Sequence, residues 1–234
     1  MTAAAPDRPR IARELALVFL TGVLPMILIG AFLFAPSTEE PPPPHYIEGV
    51  PPGTTARLMG ATYVLFFLAP AIAIRRSGVP LAHFGIVYKR EELRWGIAGF
   101  LINYVTGWMV WLAYWATNFP LGVESIAAYH FVHAQSFGAM VSTWPYYVLV
   151  VIAEEQMARC YLITRLRDLT GSNWTAVIGS SLLFASWHTF WGAAGVVHII
   201  KAGLVFGWLF VRSGSVTAPA LAHFVFDALS LLPK

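Results

Sequence analysis

The sequence predicts an all-α fold: a polytopic transmembrane helical bundle of about seven spans enclosing a buried polar site. Three observations carry that prediction. Apolar residues make up 57% of the 234 positions and charged residues only 12%, with a mean hydropathy of +0.64, where a soluble domain carries about a quarter charged residues. Apolar runs near the roughly 20 residues needed to cross a bilayer recur along the chain, divided by short polar or turn-rich connections. A few ionisable residues nevertheless fall inside those runs.

The elements follow in order. Residues 1–14 read as a cytoplasmic N-terminal tail, and residues 15–138 as N-terminal transmembrane helices and loops. The first span covers about Leu15 to Ala35. It exceeds a signal-peptide core of about 7–15 residues and no small-x-small site follows it, which predicts a retained helix. STEEPPPPHYIEGVPPGTT comes next, an extended loop because proline lacks a donor and resists helix. The second span, about Leu58 to Ile74, closes on Arg75 and Arg76. SGVPLAHFGIVYKREELRW reads as an amphipathic connection at the interface, with His83 as a surface residue. The third span, about Gly96 to Ala116, carries Trp108, Trp111 and Trp115 toward one end, where indoles favour the headgroup level.

Residues 139–234 read as a helical core, with spans at about Met140–Leu166, Trp174–Phe190, Ala193–Val211 and Thr217–Leu232. TGSN and RSGS are turn signals between them. With the N-terminus inside, the cytoplasmic side collects Arg8, Arg10, Arg13, Arg75, Arg76, Lys89, Arg90, Arg94, Arg165, Arg167 and Arg212. The opposite side holds Arg57 and Lys234. That asymmetry satisfies the positive-inside rule, so an N-terminus in the cytoplasm with seven crossings is expected. For a bacterial chain the location is the plasma (inner) membrane.

Ionisable groups inside a bilayer cost several kcal/mol unless paired or hydrated, so they mark a functional interior. Glu155 and Arg159 are spaced i, i+4 and can pair on one helical face, while Glu154 lies about 100° around the helix and is free to face something else. Phe184 and His188 in FASWH, and His223 and Asp227 in HFVFD, repeat the four-residue spacing on two further helices. A carboxylate beside a neutral imidazole can hold and deprotonate water, which suits Glu154 with His188. A histidine oriented by a carboxylate one turn away can stabilise an oxyanion, which suits His223 with Asp227. The combination describes amide hydrolysis by activated water. Glu154, His188 and His223 are equally ordinary zinc ligands, so a metal is possible though none is required; the HExxH pattern is absent.

EExxxR (Glu154, Glu155, Arg159), FxxxH (Phe184, His188) and the late HxxxD (His223, Asp227) resemble, in order and separation, the three motifs of the CPBP family. These are intramembrane proteases related to type II CAAX prenyl endopeptidases and Abi proteins. The likeness covers about residues 145 to 230; upstream it is limited to hydropathy and the HFGI segment. It implies a polytopic endopeptidase cleaving near a membrane face, with Glu154 and His188 activating water and His223 and residue 227 stabilising the oxyanion. Asp227 stands where that family commonly has Asn, and an ionised carboxylate cannot donate a hydrogen bond.

The expected partners are a membrane-associated protein or peptide substrate, the lipid bilayer and a larger membrane complex. The net charge of +3 is scattered, which argues against nucleic acid. The rival reading is a non-catalytic scaffold, an immunity-type or accessory subunit that keeps the fold. His198 and Lys201, i and i+3 in the sixth span, read first as packing or snorkelling residues and second as contacts for a substrate carboxylate. His130 and His133 read as surface residues. The lone cysteine, Cys160, excludes an internal disulfide and has no evident base.

Overall fold

A computed structural model describes residues 7–33, 52–117, 136–189 and 192–230, and every regular element among them is helical. His130, His133, Lys234 and most of the proline-rich loop lie outside the described residues. Helix α1 (Arg8–Val18) opens on Asp7, whose side chain accepts from Arg10 N at 3.1 Å, with Pro9 in the first turn. It continues through a wide π turn (Phe19–Val23) into α2 (Leu24–Leu33). Helix α3 (Pro52–Ser77) follows the proline-rich loop and ends at Arg75 and Arg76 before Gly78, whose φ of 71° only glycine adopts without strain.

A strap from residue 79 to 92 then crosses one end of the bundle. Two short 3₁₀ turns, Leu81–Phe84 and Arg90–Glu92, give it shape, and Phe84 is fully buried. Helix α4 (Leu93–Thr117) leaves from it. Helix α5 (Phe137–Glu155), a second π turn (Gln156–Ile163) and α6 (Thr164–Thr170) form one rod. Helices α7 (Asn173–Ser186), α8 (Gly192–Ser213) and α9 (Thr217–Ser230) complete the chain. The strap clamps the α8–α9 turn: Val216 N donates to Gly85 O at 2.9 Å, Ser215 Oγ to Val87 O at 2.6 Å, and Lys89 N to Thr217 Oγ1 at 2.9 Å.

Small residues let the helices approach closely, as bilayer packing favours. A Cβ on Gly203 would stand 2.8 Å from Ser181 Cβ, and one on Gly96 2.8 Å from Leu221 Cβ, which locks α7 to α8 and α4 to α9. Gly22, in the first π turn, meets Met157 of the second. The buried centre around Phe66, Met157, Tyr161, Phe184 and Trp187 therefore gathers the first rod, α3, the α5–α6 rod and α7. Outward, α4 exposes Val105 (56%), Met109 (63%) and Trp115 (67%), an apolar face suited to lipid rather than water.

Among the described residues, three stretches are long and apolar enough to cross a membrane: Arg8–Ile29, Arg90–Thr117 and Gly192–Ser213, with Thr217–Leu229 a shorter apolar helix. The fold is an all-α bundle of membrane character, as the composition predicts. Two local expectations need correction. The fourth span is not a uniform helix, because the π turn interrupts it. The fifth stops at Ser186, so Trp187 and His188 form a turn beyond its end. His83 is exposed, as expected of a surface residue, and its Nε2 meets Asp168 Oδ2 at 3.0 Å. Arg165 bridges Asp168 (3.3 Å) and Glu14 (2.7 Å) beside it, tying the strap, α6 and α1 together.

Candidate active site

The α5–α6 rod positions the two glutamates. Glu154 and Glu155 end α5, immediately before the π turn, where the ladder widens to i→i+5 bonding; such turns concentrate at functional sites. Ser180 Oγ of α7 donates to Ala158 O within that turn at 2.6 Å, pinning it from the neighbouring helix. Both glutamates are buried, at 4% and 1% exposure, as is Arg159 at 1%.

Two imidazoles, His188 and His223, converge on Glu154. Glu154 Oε1 lies 3.7 Å from His188 Nε2, and its Oε2 lies 3.6 Å from His223 Nε2. His223 Nδ1 donates to Glu155 Oε1 at 2.8 Å. Asp227 Oδ2 stands 3.6 Å from His223 Nε2. One carboxylate thus addresses two imidazoles, one through each oxygen.

The tautomers follow from the partners. His188 Nδ1 lies 2.8 Å from Phe184 O, a carbonyl that can only accept, so Nδ1 carries the proton. The same bond satisfies a last-turn carbonyl of α7, because the helix ends before His188. The Nε2 side of the ring then faces Glu154. Trp187, fully buried, holds this turn by edge contacts with Phe66 (5.1 Å) and Phe184 (5.2 Å). His223 is oriented by the Glu155 carboxylate, not by Asp227 one turn along its own helix; Asp227 faces the opposite, Nε2 side of the ring. The i, i+4 spacing alone could not reveal this, since the orienting group comes from another helix.

Glu155 and Arg159 pair as their spacing predicts, with Nε 3.2 Å from Oε2. The contact is electrostatic rather than an aligned hydrogen bond, since neither atom has a hydrogen-bond partner among the described residues. The guanidinium rests on aromatic faces instead, 4.5 Å above Phe184 and 5.5 Å from Phe206. Phe184 and Phe206 also flank His223, at 6.2 and 5.5 Å. The FxxxH phenylalanine therefore packs the arginine and both histidines.

Sequence reasoning missed Ser180 and the tyrosines at the outer part of the site. Tyr63 of α3 and Tyr146 of α5 lie within electrostatic reach of Glu154 and Asp227, and Tyr147 within reach of Asp227. Exposure of the charged side chains rises from 5% at Glu154 to 20% at Asp227. Among the described residues no cluster of three or more His, Cys, Asp or Glu is arranged to hold a metal ion. In particular, the two imidazoles meet different oxygens of Glu154.

Fold and cluster together define a helical integral-membrane protein with a carboxylate–imidazole centre enclosed by its helices. Residues 135–229 match the family model of type II CAAX prenyl endopeptidase Rce1-like proteins, a segment that contains Glu154, Glu155, Arg159, Phe184, His188, His223 and Asp227. No curated protein and no solved structure matches the chain.

Proposed function

We propose that this protein is an intramembrane endopeptidase that hydrolyses a peptide bond of a membrane-associated substrate, near a membrane face, with water activated by Glu154 and His188. The observation that carries the reading is the opposition of Glu154 Oε1 and His188 Nε2 at 3.7 Å. That gap is too long for a direct hydrogen bond and suits one water oxygen held between two acceptors at about 2.8 Å from each.

The steps use this chain's own residues. Water between Glu154 and His188 gives one proton to Glu154 as its oxygen attacks the scissile carbonyl carbon. The carbonyl π electrons move to oxygen, and the oxyanion lies on the side of His223 Nε2, which donates to it when the ring is protonated; Glu155 holds Nδ1–H and fixes the ring plane. Glu154 then returns its proton to the departing amine nitrogen as the C–N bond breaks. Asp227, on the Nε2 side, supplies charge rather than a donor when ionised. No step requires a metal.

The family match supports proteolysis, and the asymmetric placement of the Arg and Lys residues supports a cytoplasmic N-terminus and seven crossings. The test is a comparison of membrane proteomes from cells carrying wild-type protein and Glu154→Gln at equal level. A precursor that accumulates uncut in the variant is expected. Identical sets of protein termini in both would overturn proteolysis and favour a scaffold.

A further inference from the structure

A second polar cluster lies in the bundle, between α4, α8 and α9. Lys201 sits tenth in α8 (Gly192–Ser213), and its Nζ donates to the backbone carbonyl of Asn103 in α4 at 2.7 Å. No carboxylate among the described residues pairs with it. The Asn103 side chain is 0% exposed, and neither its Oδ1 nor its Nδ2 has a partner among the described residues. His198 lies beside them with its ring 5.6 Å from that of Phe226, the residue before Asp227. Gly107 leaves room for the group: a Cβ there would stand 3.0 Å from His198 Cε1 and 3.4 Å from Lys201 Nζ.

A lone ammonium and an orphaned amide inside a membrane bundle each cost free energy that an anion with acceptor oxygens would recover. The depth selects which anion. Lys201 is roughly 14 Å along α8 from its first residue, so it lies near mid-span, whereas lipid phosphates stay about 15 Å from the bilayer centre. The anion must therefore arrive on a chain that enters the protein.

We infer that Lys201, with Asn103 and His198, forms a carboxylate-binding subsite that reads an acidic group on the substrate, beside the Glu154 centre. This rests on the peptidase reading above and gives its substrate class: a peptide presenting a carboxylate, either its C-terminal α-carboxylate or an Asp/Glu side chain. The Lys201 ammonium supplies the charge, and the Asn103 Nδ2 supplies a neutral donor.

The test is direct binding to the full-length protein in liposomes, followed by dansyl fluorescence. Three probes are compared: dansyl-Leu-Leu-Leu with a free carboxylate, the same peptide as its carboxamide, and dansyl-Leu-Glu-Leu carboxamide. The free carboxylate, or the Glu probe if the side chain is what is read, is expected to bind at least about tenfold tighter than the uncharged carboxamide, about 1.4 kcal/mol. Lys201→Met is expected to reduce that preference to within about twofold and Lys201→Arg to retain it. Equal binding of all three probes to the wild-type protein, which needs no variant to fold, would overturn the subsite. So would a preference that survives Lys201→Met. Carboxylate preference without cleavage of any protein would overturn the peptidase reading and leave the subsite standing; cleavage without preference would do the reverse.

Discussion

Replacing Glu155 by alanine removes two contacts at once, and the geometry says which one matters. The first is the hydrogen bond from His223 Nδ1 at 2.8 Å; interhelical hydrogen bonds in bilayers average only about 0.6 kcal/mol. The second is the charge facing Arg159 at 3.2 Å, a gross attraction of about 5 kcal/mol at an effective dielectric of 20, opposed by desolvation already incurred on folding. Deleting one partner of a buried pair leaves the other uncompensated, at about 3–5 kcal/mol. The guanidinium at 1% exposure is the larger liability, so Glu155→Ala is expected to destabilise by about 3 kcal/mol or more. Glu155→Ala/Arg159→Met should then be less destabilised than Glu155→Ala alone. The chain supplies its own reporter, because its single cysteine, Cys160, is buried next to Arg159; labelling by a thiol-reactive dye during heating follows unfolding. A Glu155→Ala protein that melts with the wild type, or a double variant less stable than the single, would refute the reasoning.

Other perturbations separate chemistry from packing. Asp227→Asn places an amide donor on the Nε2 side of His223 and is expected to keep kcat within about tenfold; a loss approaching the 10²–10⁴ of a missing acid–base group would show that the carboxylate itself is needed. Gly203→Val drives a side chain into Ser181 and should lower stability by about 1–3 kcal/mol in the same thiol assay. Ser180→Ala frees the Ala158 carbonyl in the π turn and is expected to cost about 1 kcal/mol while lowering kcat through displaced glutamates; unchanged turnover would show that the turn holds its shape alone.

The parts of the fold that follow from hydropathy were legible in the sequence: each apolar run became a helix, because backbone groups in lipid are satisfied most simply within one segment. The convergence of Glu154, His188 and His223 was legible too, since ionisable residues in apolar helices must meet one another or water. Three features were not. The π turn at Gln156–Ile163 follows from contacts with other helices, Ser180 and Gly22 among them, that local propensity does not encode. His188 gave the spacing of a helical face but sits past the helix end, where its ring completes the cap. Glu155 read as a partner for Arg159 alone, because a contact between residues 68 positions apart leaves no periodic trace.

The central claim is that Glu154, with the water it shares with His188, performs the hydrolysis. The most direct measurement is cleavage of the accumulated precursor by purified, liposome-reconstituted wild-type protein and Glu154→Gln, both first shown to melt alike by Cys160 labelling. Wild-type protein cutting at a single peptide bond, with the variant slower by at least about a hundredfold, is the predicted result. Equal cleavage by a folded Glu154→Gln protein would contradict the account.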